Sequence, residues 1–129
     1  DGATYAAFVA RVNENRGRCM EALYAWRADG RHVVGNSAPG RCSTLMNWYG
    51  IDRYLMPYLA EQPHSLKKGL YLPGVHLPIV DNGILVEEQP DYVVLMAWHY
   101  QDAIVRYLRE KGVRSKLVVP LPEFRILDD

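Results

Sequence analysis

The chain has 129 residues, 49% of them apolar, with 15 basic and 15 acidic side chains and no formal net charge. That is enough apolar material for one packed core, too little chain for two domains, and too rich in aromatic and branched residues for disorder. The charge balance excludes general nucleic-acid binding, which draws on an excess of cations, but leaves room for a small local anion site.

Residues 4–28 read as a helix, with Phe8, Val12, Cys19, Leu23 and Trp26 recurring near helical spacing and Asp29-Gly30 as its stop. A short strand follows over 31–35, centred on Val33 and Val34, then a small-residue turn from Ser37 to Gly40 and a short helix over 41–49. Residues 54–59 read as a second buried strand, with Pro57 suggesting an edge or a bend. Residues 61–74 form a loop rich in Pro, Lys and Gly, and 75–80 an extended segment that Pro78 makes a poor central strand. A short helix over 82–88 precedes Tyr92-Val-Val-Leu-Met-Ala97, an apolar run suited to a strand buried on both faces. The helix over 100–111 turns Ile104, Val105 and Leu108 inward and Arg106, Arg109 and Glu110 outward. Gly112 caps it, and a strand over 116–119 ends at Pro120 and Pro122, with a possible edge strand in the tail. Strands alternating with helices imply parallel strands joined by right-handed crossovers. The expected fold is therefore α/β and Rossmann-like: one domain over 1–129, a mostly parallel sheet flanked by helices, with an N-terminal helix.

Cys19 and Cys42 are the only cysteines, and His32, His64, His76 and His99 are scattered. No metal site with a recognised spacing results, and reduced thiols of a cytoplasmic protein are expected. No apolar run approaches the ~20 residues of a membrane span, so neither membrane nor nucleic acid is an expected partner. The start, Asp-Gly-Ala-Thr, has neither initiator Met nor signal-peptide character, which reads as part of a longer polypeptide.

Gly35-Asn-Ser-Ala-Pro-Gly40 approximates the G-x-G-x-x-G phosphate turn, with Ser37 in the second Gly position and Pro39 lacking an N–H. Such a turn aims the free N–H groups of the next helix at one spot and attracts anions there. Arg41 reads either as a bidentate phosphate clamp or as a solvated surface residue. Ser43 and Thr44 read as helix caps or phosphate donors. Glu61 lies about twenty residues past the turn, where an acid in dinucleotide folds meets ribose hydroxyls. Lys67 and Lys68 either meet a diphosphate or keep a loop soluble. Trp98 and His99 end the 92–97 strand, one as a stacking ring or core aromatic, the other as a hydrogen-bond donor or the first residue of a helix. No nucleophile elbow, Walker loop or other self-sufficient catalytic set is present.

Four segments in register resemble one family. Gly35-Asn-Ser-Ala-Pro-Gly-Arg-Cys-Ser-Thr-Leu-Met-Asn-Trp-Tyr-Gly-Ile51 is similar to the signature G-Y-G-A-P-A-K-G-N-T-L-L-N-Y-x-G-I. Leu72-Pro-Gly-Val-His-Leu-Pro-Ile79 resembles L-P-G-T-H-I-P-I, Pro90-Asp-Tyr-Val-Val-Leu-Met-Ala-Trp-His99 resembles P-D-Y-V-L-L-L-A-W-N, and Val118-Val-Pro-Leu-Pro-Glu123 resembles I-V-P-I-P-E. These mark the C-terminal domain of S-adenosylmethionine-dependent C-methyltransferases acting on nucleotide-linked deoxysugars.

The resemblance implies a Rossmann-like domain that follows a zinc-bearing segment and a central methyl-transfer domain. The methyl donor and the catalytic base then belong to that missing central domain, no cofactor is bound by this chain, and no catalytic residue lies in it. This domain closes over a nucleotide-diphosphate sugar and is not active alone. By position Ser37, Ala38 and Arg41 line the diphosphate side, Glu61 and Lys67 match an Asp and a Lys around the next loop, and Trp98 and His99 match a Trp-Asn pair. The departures are Asn36 for an aromatic residue, Ser37 and Cys42 for Gly, Arg41 for Lys and His99 for Asn, with a loop one residue longer near His64 and Ser65. They cluster at the ligand edge. From the residues alone, a stand-alone dinucleotide-binding module or a structural domain without ligand stays open.

Overall fold

The computed structural model describes residues 1–37, 39, 42–62, 71–72, 74 and 76–128. Helix α1 spans Gly2–Ala28, and the Asp1 carboxylate caps it by accepting the Thr4 N–H at 2.9 Å. Cys19 and Leu23 are buried as expected, and Trp26 stacks on Tyr92 with ring centroids 3.7 Å apart. Phe8, expected to face inward, is 55% exposed. Burial along this helix begins only at Asn15, so its first half has no sheet beneath it.

The remaining elements are β1 (Val33–Asn36), α2 (Cys42–Tyr49), β2 (Leu59–Glu61), β3 (Tyr71–Leu72), β4 (Leu77–Asp81), α3 (Gly83–Glu88), β5 (Tyr92–Leu95), a 3-10 turn (Trp98–Tyr100), α4 (Gln101–Glu110), β6 (Lys116–Val119) and β7 (Arg125–Ile126). They form one seven-stranded sheet in the order β3-β4-β2-β1-β5-β6-β7. The strands from β4 through β6 pair in parallel, and β3 and β7 add antiparallel edges. The α/β, Rossmann-like expectation holds.

Parallel strands are covered on both faces, and alternation along each strand divides two cores between them. Val33, Leu59, Ile79, Val94 and Val118 pack with Cys19 and Leu23 of α1 and Leu45 and Met46 of α2. Val34, Ala60, Val93, Leu95, Leu117 and Val119 pack with Leu85 of α3 and Leu108 of α4.

Three local expectations are corrected. The strand expected over 54–59 is instead a turn followed by β2 starting at Leu59. The Asp52 carboxylate accepts the N–H groups of Tyr54 and Leu55 at 3.0 and 3.2 Å, which closes the chain locally and leaves Tyr54 59% exposed. Leu55 and Met56 are still buried, as core plugs rather than strand residues. From Leu77 the 75–80 segment does become an interior strand, because pairing of β4 with β2 begins at Ile79, beyond Pro78. Pro78 faces Tyr71 across the two-residue edge strand β3 instead. Arg109, expected to face outward, turns its guanidinium back to donate to the carbonyl oxygens of Val113 at 2.8 Å and Ser115 at 2.9 Å.

Candidate functional site

The chain runs outward from β1 to β2 and β4 on one side, then returns to lay down β5 and β6 on the other. Beyond the carboxyl ends of strands that flank such a reversal, the following loops diverge and leave a crevice. Here the crevice is a cleft of about 570 Å³, within the ~300–1,000 Å³ of small-molecule sites. Asn36 and Ser37 from the end of β1, Glu61 from the end of β2 and Asn82 just after β4 form one side. Tyr100 and Tyr107, seven residues apart, flank Ile104 on the other.

Strand register fixes the polar side. Asn36 pairs with Ala60 and Glu61 with Asp81, and the Asn82 N–H donates to the Glu61 carbonyl at 2.8 Å. The Ala60 carbonyl accepts the Ser37 N–H at 2.8 Å and the Asn36 Nδ2 at a longer 3.4 Å. Glu61 Oε1 accepts the N–H of Gln62 at 3.0 Å. Asn82 precedes α3 without capping it through its side chain. Ser37 holds φ at 63°, the left-handed region that disfavours a side chain, at the position where the resembled signature has Gly. Strain of this kind persists only where the surroundings enforce it, and it clusters at functional sites. On the opposite wall the Lys111 Nζ lies 5.6 Å from the centre of the Tyr107 ring.

Of the residues singled out in the sequence, Ser37 and Glu61 meet in this cleft. Trp98 lines a different groove of about 690 Å³, between the first half of α1 and the turn at Leu121 and Pro122. His99 is exposed, its ring tilted against Trp98 at 4.7 Å. Thr44 is exposed on α2. Ala38, Arg41 and Lys67 lie outside the described residues. Gly35 is a packing glycine: a Cβ there would lie 2.8 Å from the Met56 sulfur and press on Leu59. Sequence reasoning passed over Asn82, Tyr100 and Tyr107, and treated Asn36 only as a departure from a signature. The available signals were the position of Asn82 directly after an extended segment and the Tyr100–Ile104–Tyr107 spacing, one helical stripe.

The described cleft residues include acceptors, amides and phenol rings, but no His, Cys or Lys. They can hold and orient a polar ligand. Both thiols are buried, and burial pushes Cys19 up to about 12, so it is an inert core group. Burial also pushes Tyr49 up to about 12. Tyr58 is raised too, first by burial and then by the hydrogen bond its hydroxyl donates to Glu88 at 2.8 Å. Among the described residues no cluster of His, Cys, Asp and Glu is arranged to hold a metal, and no helix is long and apolar enough to cross a membrane.

Sheet order, two-sided core and a cleft at the reversal point define a Rossmann-like α/β domain. Comparison with known proteins then gives the particular family: the chain belongs to the C-methyltransferase C-terminal domain family, whose model matches residues 1–122. It is 32% identical over 126 residues to the C-methyltransferase NovU of Streptomyces niveus, covering 95% of this chain and 29% of that protein. The chain thus spans less than a third of the length of this curated relative.

Proposed function

We propose that this chain is the sugar-nucleotide-binding domain of an S-adenosylmethionine-dependent sugar C-methyltransferase of the cytoplasm. In this reading a methyl-transfer domain of the same enzyme binds the methyl donor and provides the base that removes a proton beside a sugar keto group. The methyl group then goes to that carbon. This domain holds and orients the nucleotide-diphosphate sugar. The observation that carries the reading is the cleft at the reversal point, lined by Asn36, Ser37, Glu61 and Asn82. Family membership supplies the reaction class. Holding two reactants in register is worth several kcal/mol of a reaction barrier, on the order of 7–11 in the best intramolecular cases.

Titration calorimetry of the 129-residue chain tests this. The expected result is saturable heat with a thymidine-diphosphate sugar and none with S-adenosylmethionine. Binding of the methyl donor with no response to the sugar nucleotide overturns the assignment.

A further inference from the structure

Three asparagines are buried among the described residues: Asn15, Asn36 and Asn82, at 5, 5 and 8% exposure. Asn15 is fully engaged. Its Nδ2 donates to the Tyr49 hydroxyl at 2.9 Å and the Pro120 carbonyl at 2.7 Å, and its Oδ1 accepts the Phe124 N–H. Asn36 and Asn82 are not. Asn36 makes one long side-chain bond, from Nδ2 to Ala60 O at 3.4 Å, and no described group donates to its Oδ1. The Asn82 side chain makes no hydrogen bond among the described residues, and the first N–H of α3, from Gly83, goes instead to the Asp81 carboxylate at 2.8 Å. Neither residue has a polar atom sealed from solvent without a partner, so their spare hydrogen-bonding atoms are accessible rather than orphaned. Both of these line the same cleft, on strand ends separated only by β2.

Their chemistry limits what completes them. A primary amide offers two donors and an acceptor and carries no charge. The described polar groups around them are amides, the Ser37 hydroxyl and the Glu61 carboxylate. A hydroxyl group, which donates and accepts, suits both amides and the carboxylate. Across the cleft, Tyr100, Ile104 and Tyr107 present apolar surface suited to the C–H face of a saturated ring.

We propose that Asn36 and Asn82 form a subsite for a neutral, hydroxyl-bearing ring of the ligand, and that these two amides set which ring is accepted. The inference rests on the sugar-nucleotide reading and deepens it. Such a ring is either the pentose or the hexose of a sugar nucleotide, since the two share this chemistry. Asn36 stands where the resembled signature has an aromatic residue, so this chain offers a smaller, hydrogen-bonding side chain there.

The test is calorimetry of wild type, Asn36→Ala and Asn82→Ala with thymidine diphosphate glucose, thymidine diphosphate and inorganic pyrophosphate. The expected result is a loss of about tenfold in affinity for thymidine diphosphate glucose in each variant, with any pyrophosphate binding unchanged. An equal loss for thymidine diphosphate places the pentose in the subsite, and a loss confined to the glucose-bearing ligand places the hexose there. Wild-type binding of the sugar nucleotide with no change in either variant overturns the subsite while leaving the proposed function standing. No response in wild type overturns both. If Asn36→Ala fails to fold, Asn82→Ala, which removes no internal hydrogen bond, decides the matter alone.

Discussion

Two regions of this domain bury the same side chain to different ends. At the seam between α1 and the chain after β6, the Asn15 amide, the Tyr49 hydroxyl and the Pro120 carbonyl close a triangle, with Tyr49 donating to Pro120 at 3.1 Å. At the carboxyl ends of β1 and β4, Asn36 and Asn82 are equally buried with their hydrogen-bonding capacity mostly unused. The difference teaches that burial alone does not assign a role to a polar residue. What matters is whether the fold itself satisfies it. A satisfied amide fixes structure, and an unsatisfied one facing a cavity is available to a ligand. Ser115 marks the boundary of the rule: its hydroxyl is buried and unpartnered, but it is out of reach of solvent and is not in this cleft.

The sharpest way to break this contrast is Asn15→Ala. It strands the buried Phe124 N–H and takes one partner each from the Tyr49 hydroxyl and the Pro120 carbonyl, which keep only each other, and the expected loss is about 3 kcal/mol in a urea or guanidinium titration. An equal loss for Asn82→Ala would erase the distinction. Next comes Gly35→Ala, expected to cost about 1–3 kcal/mol by overpacking against Met56 and Leu59. A wild-type midpoint in that variant would return Gly35 to the role of a ligand-approach glycine.

Alkaline pH probes the seam without mutation. Burial raises Tyr49 from 10.0 to about 12 and Cys19 from 9.0 to about 12. In both, the folded state favours the neutral form. This contribution is therefore complete below pH 9 and is lost as pH rises through 9 to 12. Denaturation midpoints across that window should fall, and the fall should flatten in Tyr49→Phe. The smaller effects lie at the cleft. Asn82→Ala should change stability by less than about 1 kcal/mol, because no internal bond is lost. Ser37→Gly should raise stability by about 0.5–1 kcal/mol by relieving a left-handed side chain.

The apolar strands were legible because burial on both faces leaves an unbroken run. Tyr92 to Leu95 and Lys116 to Val119 fall where such runs were read. Residues 54–59 misled for the same reason. Leu55 and Met56 are as apolar and as buried as strand residues, and the distinguishing feature was the Asp52 side chain two positions earlier, which closes a turn. The small-residue turn after β1 pointed to the carboxyl rim, where the structure has a cleft lined by Ser37 and Glu61. Asn36 and Asn82 were not legible as a pair. They come from strands with β2 between them, 46 positions apart in the chain, and no local pattern signals that two amides will share a cavity.

One contact away from the cleft bears on how such domains can be recombined. Gly74, at φ +88°, sits where a Cβ would lie 2.8 Å from the Asn47 Nδ2, and that same nitrogen donates to the Ser43 carbonyl at 2.8 Å. The two family-like stretches that contain Asn47 and Gly74 therefore interlock as knob and socket. The resembled signatures carry the same Asn and Gly at these two positions, so a chimera that imports either stretch from a relative keeps this contact, whereas any side chain at position 74 breaks it.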